Sequence, residues 1–246
     1  MKLIRFLAAA VLFLSLQISD ASQGLVAYIN SPFLPGNNIF VNPFEAGNGD
    51  TLSVLFGSVT VPDGTTVSLW NSTTRMFDTT STFNSGSWSA NLTILPGTGA
   101  ELNTPTSFTN TFIGTVLNHD GSTFNDSGNP TPPPVYSGPN GVFLLGDKFP
   151  TVDTGTDIFL NILGRAPNPG EQIITFDSAS QNYITSTYLG NGNWNGGSPT
   201  LDVGQAALLN VGPVPFDITS VPEPNTLALA GLAGMGMLMV MRRKQP

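Results

Sequence analysis

Between residues 22 and 219 the apolar residues come in short runs or alternate with polar ones. "TTVSLW", "FTNTFIGTV", "GVFLL" and "QIITF" are rich in β-branched and aromatic side chains, and "TLSVLFGSVTV" and "DIFLNIL" follow the same style. Clusters of Gly, Pro, Asn and Asp separate these runs. Period-two alternation bounded by turn residues predicts half-buried strands. No window of 12 residues in the body keeps a 3.6-residue apolar period, and Gln205 to Leu209 suits at most one short helical turn. The pattern therefore predicts an all-β, antiparallel body.

The pattern also repeats. Shifting residues 66–90 by 106 positions lays "TVSLWNSTTRMFDTTSTFNSGSWSA" on "QIITFDSASQNYITSTYLGNGNWNG". Ser72/Ser178, Thr79/Thr185, Gly86/Gly192 and Trp88/Trp194 are identical. Val67/Ile173, Trp70/Phe176, Asn71/Asp177 and Phe77/Tyr183 are alike in kind. Upstream, Asn38–Asn42 resembles Asp157–Asn161 at another offset. Two similar antiparallel β-modules are expected, sandwich- or barrel-like, over residues 22–127 and 142–219. Residues 128–141, "GNPTPPPVYSGPNG", lie between them. Three consecutive prolines favour polyproline II, a semi-rigid spacer. The segment serves as a linker, or as a long loop within one β-domain in which both copies pair.

Charge narrows the partners. Of 246 residues 10% are charged, and the net charge is −8. Five of the eight cations stand at the extreme ends. Between Ser22 and Val221 three cations face 14 carboxylates, a net of −11. Such a surface repels nucleic acid. The chain has no Cys, which excludes disulfides, thiolate metal sites and a thiol nucleophile.

The two ends carry ordered signals. Lys2 and Arg5 precede an apolar run from Phe6 to Leu16, and Ser19 and Ala21 supply small residues for a cut after Ala21. That order is a secretory signal peptide over residues 1–21. At the other end, Val221-Pro222-Glu223-Pro224 precedes an uncharged segment from Thr226 to Met241, followed by Arg242, Arg243 and Lys244. A helix of that length spans about 24 Å, short for a hydrocarbon core of about 30 Å, and local thinning accommodates it. The terminal cations stay on the cytoplasmic side and leave the acidic body outside.

These residues resemble the PEP-CTERM sorting signal of exported Gram-negative bacterial proteins, over 220–246. The resemblance implies an exosortase as partner, with Val221, Pro222, Glu223 and Pro224 as recognition and processing residues. It implies a membrane helix over 226–241 and a stop at Arg242, Arg243 and Lys244. Lys244 stands where a further Arg is common. It also implies inner-membrane anchoring before processing, then a place at the cell surface or in the extracellular matrix, and a link to exopolysaccharide. Leu95-Pro96-Gly97-Thr98-Gly99 spells a Gram-positive sortase motif but does not immediately precede the C-terminal helix, so it reads as a turn.

Candidate chemistry in the body is sparse. The single histidine, His119, adjoins Asp120, a geometry poorly suited to a catalytic triad. Hard oxygen ligands for calcium could come from Asn118, Asp120, Ser122, Asn125 and Asp126, or from Asp147, Asp153 and Asp157; neither set carries a metal motif, and no metal or cofactor is expected. Trp88 and Trp194 could offer faces to sugars, against a packing role. The expectation is a non-enzymatic surface or matrix protein. The alternatives are a polysaccharide-binding module and, third, a glycan hydrolase using a carboxylate pair.

Overall fold

The computed structural model of the chain describes residues 25–117 and 140–212. The segment read as a signal peptide, most of the Pro-rich segment and the C-terminal signal lie outside the described residues. Along the chain come β1 (Val26–Phe33), β2 (Gly36–Val41), the helical turn α1 (Leu52–Leu55), β3 (Thr66–Asn71), β4 (Met76–Asn84), β5 (Ser87–Trp88), β6 (Gly99–Thr104) and β7 (Phe108–Thr115). The second half adds β8 (Gly141–Leu145), β9 (Asp153–Thr154), α2 (Thr156–Leu163), β10 (Gln172–Asp177), β11 (Asn182–Gly190), β12 (Asn193–Asn195), β13 (Thr200–Leu201) and β14 (Ala207–Val211). The body is β-rich and its sheets are antiparallel.

Two five-stranded sheets run in the orders β2-β6-β3-β4-β5 and β8-β14-β10-β11-β12. Both follow one course: an edge strand, a helix, a three-strand meander, then a last strand inserted beside the first. The registers match where the last strand is inserted. Asn103 pairs with Thr66 on one side and Asn37 on the other. Asn210 pairs with Gln172 and Val142 in the same way. The turns match as well. Arg75 and Gln181 each have φ 56°, Ser85 and Asn191 have φ 50° and 52°, and Gly86 and Gly192 have φ 83° and 79°. Asn71 Oδ1 accepts the Thr73 N–H at 2.9 Å, and Asp177 Oδ1 accepts the Ala179 N–H at 3.0 Å. These side-chain acceptors fix both tight connections.

Three segments depart from expectation. "TLSVLFGSVTV" opens with α1, because one helical turn puts Leu52 and Leu55 on the same face and buries both beside Phe56. The Leu92 carbonyl and Asn91 Oδ1 accept the N–H groups of Leu52 and Ser53, which have no partner within the turn, both at 2.9 Å. "DIFLNIL" forms α2. Ile158, Phe159 and Leu163 turn inward, and Gly164 closes the helix in the left-handed region at φ 70°. Its eight residues are too few for a 12-residue window to register. Asp157–Asn161 is therefore helical and is no counterpart of Asn38–Asn42; β8 occupies the place of β2. Gln205–Leu209 makes no helical turn. Ala207–Val211 is strand β14, buried throughout between β8 and β10. A strand covered on both faces shows no alternation.

The sheets stack face to face. Val41, Val142, Leu144, Ile174, Ala206 and Leu208 form the core between them, flanked by Ile39, Trp70, Phe77 and Tyr183. The outer face of the first sheet is covered by α1 and the β1–β7 ribbon over a cluster rich in Phe. The outer face of the second sheet is covered by α2. The layers thus arise between the halves; neither five-stranded sheet closes into a barrel. Among the described residues no helix is long and apolar enough to cross a membrane.

Each half also covers the outward edge of the other's first strand. Gln181 accepts the Asn37 N–H at 2.8 Å and donates to the Asn37 carbonyl at 2.9 Å, pairing with β2 as a strand would. Trp70 Nε1–H donates to the Val142 carbonyl of β8 at 2.8 Å. The Val41 N–H donates to Gly204 O at 3.0 Å, and the Gly146 N–H donates to Gly97 O at 3.1 Å. In the matched registers Asn37 corresponds to Val142, Val41 to Gly146 and Gly97 to Gly204, so the Val41–Gly204 and Gly146–Gly97 bonds are related by an approximate two-fold axis, while Gln181 and Trp70 reach equivalent positions from different places in their halves.

The close approach of the halves requires glycine at Gly146, where a Cβ would lie 2.5 Å from Gln205 O and 2.8 Å from Val41 Cβ. Gly146→Ala is expected to destabilise the body by about 1–3 kcal/mol through overpacking. Urea unfolding checks this: the midpoint should fall with the slope unchanged.

Candidate functional site

Most residues singled out from the sequence lie outside the described residues. These are Ser19 and Ala21, His119 and the oxygen set from Asn118 to Asp126, Val221 to Pro224, Thr226 to Met241, and Arg242 to Lys244.

The tryptophans lie apart. Trp88 packs into the cluster outside the first sheet, with ring centroids 5.7 Å from Phe56 and 5.2 Å from Phe83. Trp194 packs outside the second sheet, 5.0 Å from Tyr188. The two indoles therefore stand on opposite outer faces and form no joint platform. Both are half-buried, each staking a short hairpin to its cluster.

The second oxygen set is partly assembled. Thr151 Oγ1 lies 3.3 Å from Asp147 Oδ2 and 3.5 Å from Asp153 Oδ1. Asn161 Nδ2 donates to Asp153 Oδ1 at 2.6 Å, and the Phe149 N–H donates to Asp147 Oδ1 at 2.9 Å. Asp157 is exposed on the first turn of α2, where a carboxylate complements the helix dipole. Among the described residues no three acidic or histidine side chains converge on a metal position.

Two clefts open where the halves cross. The first, about 310 Å³, lies between the β1–β2 turn, Ser178 after β10 and the loop before β14. Asn30, Ser31, Asp202 and Gln205 supply polar atoms, over Pro32 and Ile39. The second, about 250 Å³, is built by Pro96, Gly97, Leu145, Gly146, Lys148 and Asn161. Gly97 and Gly204 occupy matching places in the two clefts, so they share the approximate two-fold axis. The Pro96-Gly97 turn thus forms a wall of the second cleft. Both clefts combine hydroxyl and amide groups with a single charge, Asp202 in one and Lys148 in the other. Such groups suit a small, uncharged, hydrogen-bonding ligand. Sequence reasoning missed them because Asn30 and Asp202 come from opposite ends of the body.

It also missed an ion pair. Arg165 donates from Nη1 to Glu171 Oε2 at 2.8 Å and from Nη2 to Oε1 at 2.7 Å. The Glu171 carboxylate also accepts the Asn168 N–H at 2.6 Å and the Gly212 N–H at 3.1 Å. It ties the loop after α2 to the starts of β10 and the end of β14. Burial pushes the Glu171 carboxyl up. The Arg165 guanidinium and the two backbone donors outweigh burial and hold it below its ordinary range. The Arg165 guanidinium also lies 5.5 Å over the Phe159 ring of α2. The signal available in the sequence was that Arg165 is one of only three cations in the body.

A profile of the PEP-CTERM protein-sorting motif matches residues 220–244. The chain carries that motif, which supports exosortase-dependent sorting of an exported or surface protein. No curated protein and no solved structure matches the chain.

The Glu171 pairing sets an acid limit on stability. A carboxyl held low when folded takes up its proton more readily when unfolded. Its contribution is present above the ordinary glutamate value of about 4.3 and is lost as pH falls through the lower folded value. Glu171→Gln should cost about 2 kcal/mol at pH 7, below the full cost of breaking a buried pair because Arg165 reaches solvent. Unfolding midpoints between pH 7 and pH 3 should then fall less steeply in the variant than in the parent protein.

Proposed function

We propose that the chain is an exported bacterial surface or extracellular-matrix protein. Its C-terminal signal holds it at the inner membrane until an exosortase processes it, and its β-sandwich is a structural, non-enzymatic body. The motif over residues 220–244 carries this reading. Within it, Pro222-Glu223-Pro224 is followed by the uncharged segment ending at Met241 and by Arg242-Arg243-Lys244. Cations on the cytoplasmic side orient such a segment and put the glutamate on the outer side, within reach of a membrane-embedded enzyme. The structural role of the body is favoured by what its acidic groups do. Asp50 accepts from Asn42 and the Ala46 N–H, and Glu171, Asp147 and Asp153 are likewise engaged in holding loops. Carboxylates spent on backbone donors are poorly placed to exchange protons with a substrate.

A second reading is favoured by the first cleft, whose hydroxyl and amide groups over an apolar floor suit one residue of a neutral polysaccharide. It replaces the two tryptophans as the place where a sugar would sit.

Mass spectrometry of the mature protein tests the first reading. In a host with an exosortase, the terminal peptide "MRRKQP" should be missing, and Glu223→Ala should restore it. An intact terminus in the parent protein would sink the processing claim. Titration with neutral oligosaccharides tests the second. Asn30→Ala with Asp202→Ala should weaken binding at least tenfold while Trp88→Ala leaves it intact; the opposite pattern returns the sugar to the tryptophan.

A further inference from the structure

The face between the sheets has the form of a dimer interface inside one chain. Contacts run from each half to equivalent backbone positions of the other, and one pair, Val41 with Gly204 and Gly146 with Gly97, is strictly reciprocal. Gln181 pairs with the backbone of Asn37, and Trp70 bonds the backbone of Val142. Val41 donates to Gly204, and Gly146 donates to Gly97. Reciprocity of this kind defines an isologous interface. The buried core between the sheets takes Val41 from the first half and five residues from the second, with Ile39, Trp70 and Phe77 of the first half and Tyr183 of the second packed against it. Ser68 and Glu101 of the first half and Gln172 and Asn210 of the second are also buried.

Neither half can keep this face in isolation. Alone, the first half would expose Val41 and Ile39 together with the outward edge of β2, and the second would expose Leu144, Ile174 and Leu208 with the edge of β8. An uncovered apolar face beside an unpaired strand edge is a template for association. The best occupant for that template is the half shaped to fit it.

Residues 118–139 join the halves, and a chain of that length reaches up to roughly 70 Å when extended. Nothing in the contacts distinguishes the chain's own second half from that of a neighbour. We propose that the sheet-to-sheet face is also an intermolecular interface: the first half of one chain pairs with the second half of a second copy, linking chains by reciprocal exchange. The new interface has the same bonds as the old one, so exchange costs no contact and is governed by chain concentration. Concentration is what anchoring many copies on one membrane raises.

The test uses the full chain in detergent with a specific protease site inserted after Gly128. After cutting, the two fragments should elute together with an unchanged circular-dichroism spectrum. Cut samples of unlabelled and ¹⁵N-labelled protein, mixed in equal amounts and passed through partial denaturation, should give native mass spectra in which about half of the complexes are hybrids, the statistical limit. Uncut chains treated the same way at high concentration should yield dimers with the monomer's spectrum. Gln181→Ala, which removes two bonds to Asn37 without touching either core, should raise the rate of hybrid formation several-fold. Fragments that separate on cutting would overturn the proposal. So would cut complexes that re-form without hybrids, or uncut chains that refold only as monomers at every concentration.

Discussion

An edge strand carries a row of backbone N–H and C=O groups that must find partners. Here the first strand of each sheet finds them in the opposite half. β2 is met by Gln181 and Gly204, and β8 by Trp70 and Gly97. Much else follows from that crossing. The two sheets must lie face to face for the edges to be reached, and the loop before the last strand of each must turn toward the other. Gly97 and Gly204 adopt φ 81° and 84° in those loops, a region glycine enters without steric cost. Gly99 and Gly146 lack the Cβ that would strike Leu144 and Val41. The glycines are therefore conditions for the halves to touch, not mere loop composition.

The crossing also decides what the aromatic residues do. Trp70 is spent on a backbone bond between the halves, and Trp88 and Trp194 pin hairpins to the two outer clusters. Their recurrence at the same offset reflects one structural task carried out twice. The positions left for recognition are where the halves meet at their rims, and there the two clefts lie. The clefts differ in charge, with Asp202 in one and Lys148 in the other. The frame is close to two-fold while its rims are not.

The legible part of the fold was the meander. Residues 66–90 and 172–196 keep one offset because β3 and β4 have the same lengths as β10 and β11 and the connecting turns match. Outside it the offset drifts: Asn37 matches Val142 at 105 and Asn103 matches Asn210 at 107. Pairwise comparison loses such a repeat, since a single inserted residue reverses strand alternation. Both helices were hidden by brevity, and β14 by burial on both faces. The clefts were illegible for a different reason, since they join residues more than a hundred positions apart. The C-terminal signal was readable because its chemistry is linear. Prolines, apolar run and cations must follow in order, with no tertiary partner needed.

The place of β14 connects the body to that signal. Each sheet receives its last strand in its interior, beside the first, so neither sheet is complete until the end of its half has arrived. In the second half that strand ends at Val211, nine residues before the sorting motif begins at 220. Until Ala207–Val211 is inserted, β8 and β10 lack their common neighbour, and Leu208 is missing from the core between the sheets. Pairing over such a long stretch of chain is slow compared with local folding. Completion of the sandwich therefore waits for the same stretch of chain that delivers the motif to the membrane. Gly212 then donates to Glu171 and locks the end of β14 against the Arg165 pair. The order of strands makes the sorting signal the natural sequel to a finished body, with no disulfide needed to hold that body while it is exported.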